Sequence, residues 1–530
     1  MLQDTLLLVI SLLFLVSMLS MLGEKLRIAY PIFLVIAGLL ISLVPGIPRI
    51  SLDTDLVFVI FLPPLLYAAA WNTAWNEFWA FRRPISMLAF GLVVITALVV
   101  AMVAHVMIPG CSLALGFVLG GIVSPPDAIA ATSVLEHLKV PRRVVTILEG
   151  ESLVNDASSL IVFRFALVAL FTGEFVFWKA GVDFLMVAGV GIFIGLAIAH
   201  IVYAIHRFLP TTPSIDTGIS LMTPYLMYIA AEHFHYSGVL AVVSGGLFLS
   251  FRSQDFFTYS SRLQANSVWS TLVFLLNGIV FILIGLQLPD IIKGLGEYSL
   301  QSAICYALVI SVVTIVIRII WVFPGAYLPR ILSKKIRKKE ERPGWKSVFI
   351  TAWSGMRGVV SLASALAVPL TLENGQAFPH RNLILFITFI VILFTLVLQG
   401  LSLPALVRLL KIQVDNEKDK EHEHAMRLRL ATAVVDYLES EYADESETIK
   451  AFNRVKERYE RMADIAGKKL AKGDAPEANP SFLVNYRKML LEIIEVRRKE
   501  LALMRRDKLY PDHLIRNKEQ ELDLEEARMR

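Results

Sequence analysis

Two cysteines in 530 residues, Cys111 and Cys305, provide neither a disulfide framework nor the spacing of a metal site. Nucleotide chemistry lacks its loop: no Gly-x-x-x-x-Gly-Lys-Ser/Thr run occurs, and Gly467-Lys468-Lys469 has neither the hydroxyl nor a preceding strand. A His-Glu-x-x-His helix is missing too, which removes a common zinc-hydrolase signature. Charged residues are only 18% of the chain and desert long stretches before residue 410, so an ordinary soluble domain is excluded. The opening run Met1-Leu2-Gln3-Asp4 carries no basic segment and no small-residue cleavage site. It is expected to be a retained span rather than a signal peptide.

What fills the space is apolar. Hydrophobic residues make up 56% and the mean hydropathy is +0.62, against roughly 45–50% apolar residues in soluble domains. Runs near the ~20 residues that cross a bilayer recur and predict an all-α membrane protein with about thirteen transmembrane helices. Their expected limits are 5–22, 28–45, 56–70, 85–108, 113–135, 145–171, 182–205, 215–232, 237–250, 268–288, 303–325, 347–370 and 383–410. The ninth is short enough to read also as a re-entrant piece.

Loop charges orient these spans. Alternate loops carry Lys25 and Arg27, Arg82 and Arg83, Lys139, Arg142 and Arg143, Arg207, Arg252 and Arg262, and the dense run from Arg330 to Lys339. The opposite loops hold isolated basics: Arg49, Lys179, Lys293 and Arg381. The positive-inside rule then predicts a multi-pass protein of the cell membrane, N-terminus outside and C-terminus cytoplasmic. The formal charge of +5 reflects that orientation beside anionic lipid and no nucleic-acid partner. Residues 1–410 are therefore read as the membrane domain and 411–530 as a cytoplasmic helical tail. In the tail, Met426, Leu430, Val434 and Leu438, and later Leu483, Tyr486, Leu490 and Ile494, keep a helical period. Lys468–Pro480 is read as a break between hairpins, with the tail packed on itself or on a second subunit.

Inside the spans, polar residues concentrate at three places. Glu151, Asn155 and Asp156 fall in the sixth apolar run, where a carboxylate costs roughly 2.5–3.5 kcal/mol and implies a polar cavity or ion path. On a helix Ser152, Asn155, Asp156 and Ser159 share one face. In the fifth run, Ser124-Pro125-Pro126-Asp127 must interrupt the helix, since two prolines remove two amide donors. Asp127 then meets the positive end of the following half-helix. In the twelfth, Gly355-Met356-Arg357-Gly358 brackets an arginine with glycines. Interrupted helices in matching halves point to an inverted-repeat secondary transporter.

Four blocks carry a family resemblance: Phe61-Leu62-Pro63-Pro64-Leu65-Leu66-Tyr67, Ser124-Pro125-Pro126-Asp127-Ala128-Ile129-Ala130, Gly150-Glu151-Ser152-Leu153-Val154-Asn155-Asp156, and Gly355-Met356-Arg357-Gly358-Val359-Val360-Ser361. In order and on the expected spans, they resemble the electroneutral branch of the sodium/proton exchangers, monovalent cation:proton antiporters, over about residues 5–410. The resemblance implies thirteen spans in two inverted six-helix repeats, broken crossing helices beside the ion site, and a homodimer. It implies that Asp156 binds the transported cation or proton, with Asn155 its amide neighbour, Ser152 a candidate ligand and Asp127 the acid at the break. It implies a buried structural ion pair between Glu151 and Arg357. Two positions depart from the family pattern: Pro126 stands where Thr, Val or a similar residue is usual, so a threonine ligand is unavailable, and Ala68 where many members place an acid.

The chemistry is coherent without the family. Hard monovalent cations want carboxylate, hydroxyl and carbonyl oxygens. One carboxylate can hold a proton or a cation, and competition between them is exchange, with no cofactor and no ATP. The expected function is antiport of Na+, or alternatively Li+ or K+, for protons, probed by proton flux that reverses with the gradient. A cation channel is the first rival, though no filter or charge ring is visible. An intramembrane enzyme is the second, and an Asp127/Asp156 dyad has no other support. Arg164 is read as either snorkelling or pairing with an acid, Arg318 as snorkelling, and Glu232-His233-Phe234-His235 as ordinary surface residues. Trp71, Trp75 and Trp79 are read as an interfacial aromatic belt.

Overall fold

The computed structural model describes residues 2–26, 29–44, 57–136, 138, 140–172, 177–296, 298–339, 342–372, 376–412, 416–442, 450–472, 480–506, 518 and 521–526. Arg27, Arg49, Lys139, Gly473 and Pro476 lie outside the described residues. The chain forms two compact units, Met1–Val414 and Asp415–Arg530.

In the first unit the principal helices are α1 Leu2–Leu26, α2 Tyr30–Ser42, α3 Leu62–Asn72, α4 Val93–Met107, α5 Leu113–Val123, α6 Ala128–Leu135, α7 Arg142–Thr172 and α8 Phe177–Phe208. They continue with α9 Pro213–His233, α10 Gly238–Phe256, α11 Tyr259–Leu286, α12 Leu300–Leu332, α13 Trp345–Trp353, α14 Val359–Leu366 and α15 Arg381–Leu409. Among the described residues, eight helical segments are long and apolar enough to cross a membrane. The β pairing found among them is a single bridge, Thr371 to Ala377. The segment read as the ninth span is the unbroken 19-residue helix α10.

Two helical groups make up this unit. In one, the scaffold, α8 packs on α10, α2 on α11, α3 on α10, and α9 on α8, α10 and α11. In the other, α4 packs on α5, α5 on α7, and α12 on α4, α13 and α15. Small residues allow the close crossings. A Cβ on Gly191 or Gly195 would lie 2.7 or 2.1 Å from the carbonyl oxygens of Ser237 and Ala241. Gly116 and Gly120 sit as tightly on Ala101 and Ala97. Lipid supplies no hydrophobic drive between helices, so packing through small-xxx-small faces has to hold them.

The aromatic stripe after α3 is local structure. Trp75 stacks on Trp79 at 5.7 Å, and the Arg82 guanidinium lies 4.9 Å over Trp79, a cation–π contact. The second unit holds α16 Asn416–Glu441, α17 Lys450–Lys472 and α18 Pro480–Arg506, with α16 packed on α17. There Leu438 and Ile494 of the expected stripes are buried, while Met426 and Leu430 are exposed and Ala431 is buried beside them.

Candidate functional site

The site is built where two helices are interrupted. After Val123, Pro125 and Pro126 cannot donate to preceding carbonyls, and α5 ends. Between α13 and α14 the chain is non-helical through Ser354–Gly358. The two non-helical pieces meet: the Asp127 amide donates to the Met356 carbonyl at 2.7 Å. The face of α7 read from the sequence supports this crossing. Asn155 Nδ2 donates to the Pro126 carbonyl at 2.9 Å, and Ser152 Oγ accepts from the Ala128 amide at 3.2 Å.

Breaking helices at this depth exposes dipole ends, and each end meets an opposite charge. Asp127 is the N-cap of α6, its Oδ1 accepting from the Ile129 amide at 2.8 Å. Its Oδ2 lies against Gly358, the N-cap of α14. One carboxylate thus faces two positive helix ends. At the negative ends, Arg357 Nε donates to the Val123 carbonyl of α5 at 3.2 Å. Arg318 donates to the Thr351 and Ala352 carbonyls of α13, both at 3.1 Å.

Gly358 has no room for a side chain, because a Cβ there would sit 1.9 Å from Asp127 Oδ2. Gly358→Ala is therefore expected to destabilise the detergent-solubilised protein by about 1–3 kcal/mol, the range for overpacking a tight contact. Thermal unfolding measures it, and an unchanged melting temperature would mean that the crossing yields without cost.

The expected Glu151–Arg357 pair does not form. Glu151 instead receives two hydrogen bonds from Arg318, Nη1 to Oε1 at 2.5 Å and Nη2 to Oε2 at 2.8 Å. Arg318 is 0% exposed, so it does not snorkel. The reason is geometric. Arg357 lies in the non-helical break itself, with its guanidinium engaged by the Val123 and Gly355 carbonyls, while α12 delivers Arg318 to the α7 acid from the side. Arg164 forms an exposed pair with Glu232 at 2.7 Å. The other Glu232 oxygen accepts from the Gly238 amide at 3.1 Å.

Asp156 faces a cavity of about 310 Å³ between the two helical groups. Ser152, Asp127, Gly358 and Ser361 line one wall, and Tyr30, Leu65, Ala68, Asn72 and Asn277 the other. Glu136 and Glu149 also line it. Asn155 lies behind this wall, hydrogen-bonded to the crossing and not lining the cavity. Ser159 donates to the Asp156 carbonyl at 2.9 Å. Buried Asp127 Oδ2, Asn155 Oδ1, Asn277 Oδ1 and Ser361 Oγ have no hydrogen-bond partner among the described residues. Asn277 and Glu149 went unread in the sequence. A polar residue inside the apolar run Leu275-Leu276-Asn277-Gly278-Ile279 was the available signal for the first. For the second it was the i, i+3, i+7 series Glu149, Ser152, Asp156.

Interrupted helices crossing beside an acid-lined cavity, within a bundle of membrane-length helices, define a secondary transporter. Comparison with known proteins makes the class specific. Residues 9–409 match the family described as sodium/hydrogen exchanger, transmembrane. An uncharacterized Na+/H+ exchanger of Mycobacterium tuberculosis is 32% identical over 525 residues, covering 96% of this chain and 93% of the relative. A sodium, potassium, lithium and rubidium/H+ antiporter of Bacillus subtilis is 36% identical over 391 residues, covering 72% of this chain and 58% of the relative. The sodium proton antiporter MjNhaP1 of Methanocaldococcus jannaschii has the same fold, with a TM-score of 0.60 at 21% identity over 75% of this chain and 99% of that one. The chain belongs to the sodium/hydrogen exchanger family. It is an all-α, multi-span membrane antiporter, a transporter rather than an enzyme.

Proposed function

We propose that Asp156 is the exchange site, holding one monovalent cation or one proton in turn, with Ser152 and Asp127 as neighbouring oxygens and Asn155 fixing the crossing. The observation that carries this reading is a buried carboxylate on the cavity wall with no basic partner among the described residues. A charge so placed is costly unless a cation or proton neutralises it. Competition for that carboxylate makes transport one cation for one proton. Na+ is the substrate the family name supports, and the name of the Bacillus relative extends the range to Li+ and K+.

The same reading takes the membrane unit as thirteen passes in two inverted six-pass repeats. The succession of a long helix, a broken helix and a long helix supports it, occurring at Arg82–Thr172 and again at Leu300–Leu409. The N-terminus lies outside, the Asp415–Arg530 unit in the cytoplasm, and the protein works as a homodimer in the cell membrane.

Purified protein in proteoliposomes tests the exchange reaction. An outward Na+ gradient is expected to drive protons inward, to reverse when the gradient reverses, and to ignore a clamped membrane potential. The rate should fall at acid pH, where protons outcompete the cation, and again at alkaline pH, where protons are scarce. A steady transport current on a solid-supported membrane, beyond the capacitive binding signal, would overturn one-for-one exchange and implicate a second titrating group.

A further inference from the structure

Asn277 stands in the middle of scaffold helix α11 and is 1% exposed. Its neighbours along the helix are apolar, and a leucine would fill the position without stranding an amide oxygen. Yet Asn277 Oδ1 accepts no hydrogen bond among the described residues. An unmet buried acceptor costs about 1–3 kcal/mol. Asn277 is among the residues that line the cavity which Asp156 and Asp127 line from the other side, its unpartnered oxygen buried just behind the surface, and the scaffold's polar contributions to that wall are Tyr30, Asn72 and Asn277, with no carboxylate. Ala68, on the same wall, has no donor atom to offer.

We propose that Asn277 Oδ1 is the scaffold-side ligand of the transported cation, an inference that rests on Asp156 being the exchange site. Alkali cations collect several oxygens, and a neutral amide adds one without adding charge. The helical group bearing Asp156 then supplies the negative charge, while the scaffold supplies a dipole that completes the coordination shell. A proton on Asp156 needs no such shell. Asn277 therefore discriminates the cation-loaded site from the proton-loaded one, and it ties the two helical groups together when the cation is bound.

The experiment is initial-rate exchange in proteoliposomes with Na+, Li+ and K+ chloride in turn. It compares the unmodified protein with Asn277→Ala, Asn277→Asp and Asp156→Asn. Loss of one ion–oxygen contact is expected to raise the apparent KM for Na+ about tenfold in Asn277→Ala. The order of preference among the three cations should also change. Asn277→Asp keeps an oxygen and adds charge, so its KM for Na+ should fall below that of the unmodified protein and cation release should slow. An unaltered KM and cation order in Asn277→Ala would overturn the inference. So would equal losses of rate and melting temperature in both Asn277 variants with KM unmoved, which is the mark of a structural residue. If Asp156→Asn still exchanges, the exchange-site reading fails instead; if it is silent while Asn277→Ala behaves as the unmodified protein, Asn277 alone is excluded.

Discussion

Arg318→Ala and Glu151→Ala are each expected to destabilise the purified protein by about 3–5 kcal/mol, since either change leaves a buried charge without its partner. Both side chains are essentially inaccessible, at 0% and 1% exposure. The arginine change carries a second loss, because Arg318 also holds the Thr351 and Ala352 carbonyls at the end of α13. Arg318→Ala should therefore be the worse of the two, with lower expression and a lower melting temperature than Glu151→Ala. Arg357→Ala should not resemble Glu151→Ala in a double-mutant cycle, because Arg357 engages backbone carbonyls rather than the acid. Combining Glu151→Gln with Arg318→Met should recover part of the stability lost by either single change, by at least the coupling energy of a contacting pair. Additive losses in that cycle, measured by thermal unfolding in detergent, would show that the pair does not hold α7 to α12.

The misassigned arginine illustrates what sequence can and cannot convey. The breaks were legible because they are written in local chemistry: Pro125 and Pro126 cannot continue a helix, and Gly355 and Gly358 flank the second interruption. The polar face of α7 was legible for the same reason, as spacing on one helix decides which side chains converge. Which arginine meets Glu151 is a tertiary fact. Residues 318 and 357 each lie more than a hundred positions from 151, and their partners depend on how α12 and the α13–α14 break pack against α7. Hydropathy placed Arg318 near the end of an apolar run of 303–325, whereas the helix extends over Leu300–Leu332 and buries that residue within it. Asn277 was obscured differently. Its role depends on the wall opposite, and no periodicity on α11 distinguishes it from a polar residue satisfied within its own bundle. The ninth run looked too short to span because Ser250, Arg252, Ser253, Gln254 and Asp255 end its hydropathy early, although they continue helix α10 to Phe256.

Asp156→Asn is expected to abolish cation-driven proton flux while leaving expression, oligomeric state and melting temperature close to those of the unmodified protein. Asparagine has nearly the shape of aspartate and can still face the cavity, but it carries no charge to attract a cation and no site that exchanges a proton near neutrality. Folding should tolerate it because the contacts that hold the crossing come from Asn155, Ser152 and the Asp127 amide, not from the Asp156 carboxylate. Stability should even rise slightly, since the change removes a buried charge that has no basic partner among the described residues. Asp127→Asn is the informative contrast. Asp127 faces the N-termini of α6 and α14, so neutralising it keeps the cap, because asparagine accepts the same amide, but removes the charge–dipole attraction, worth about 0.3–1 kcal/mol per helix end and up to about 2 in a buried geometry. That variant should lose stability and retain measurable exchange, the reverse of the Asp156 pattern. Proton flux in proteoliposomes and thermal unfolding of the same preparations separate the two. A folded Asp156→Asn protein that still moves protons against a Na+ gradient would remove this carboxylate from the transport cycle and transfer its role to Asp127.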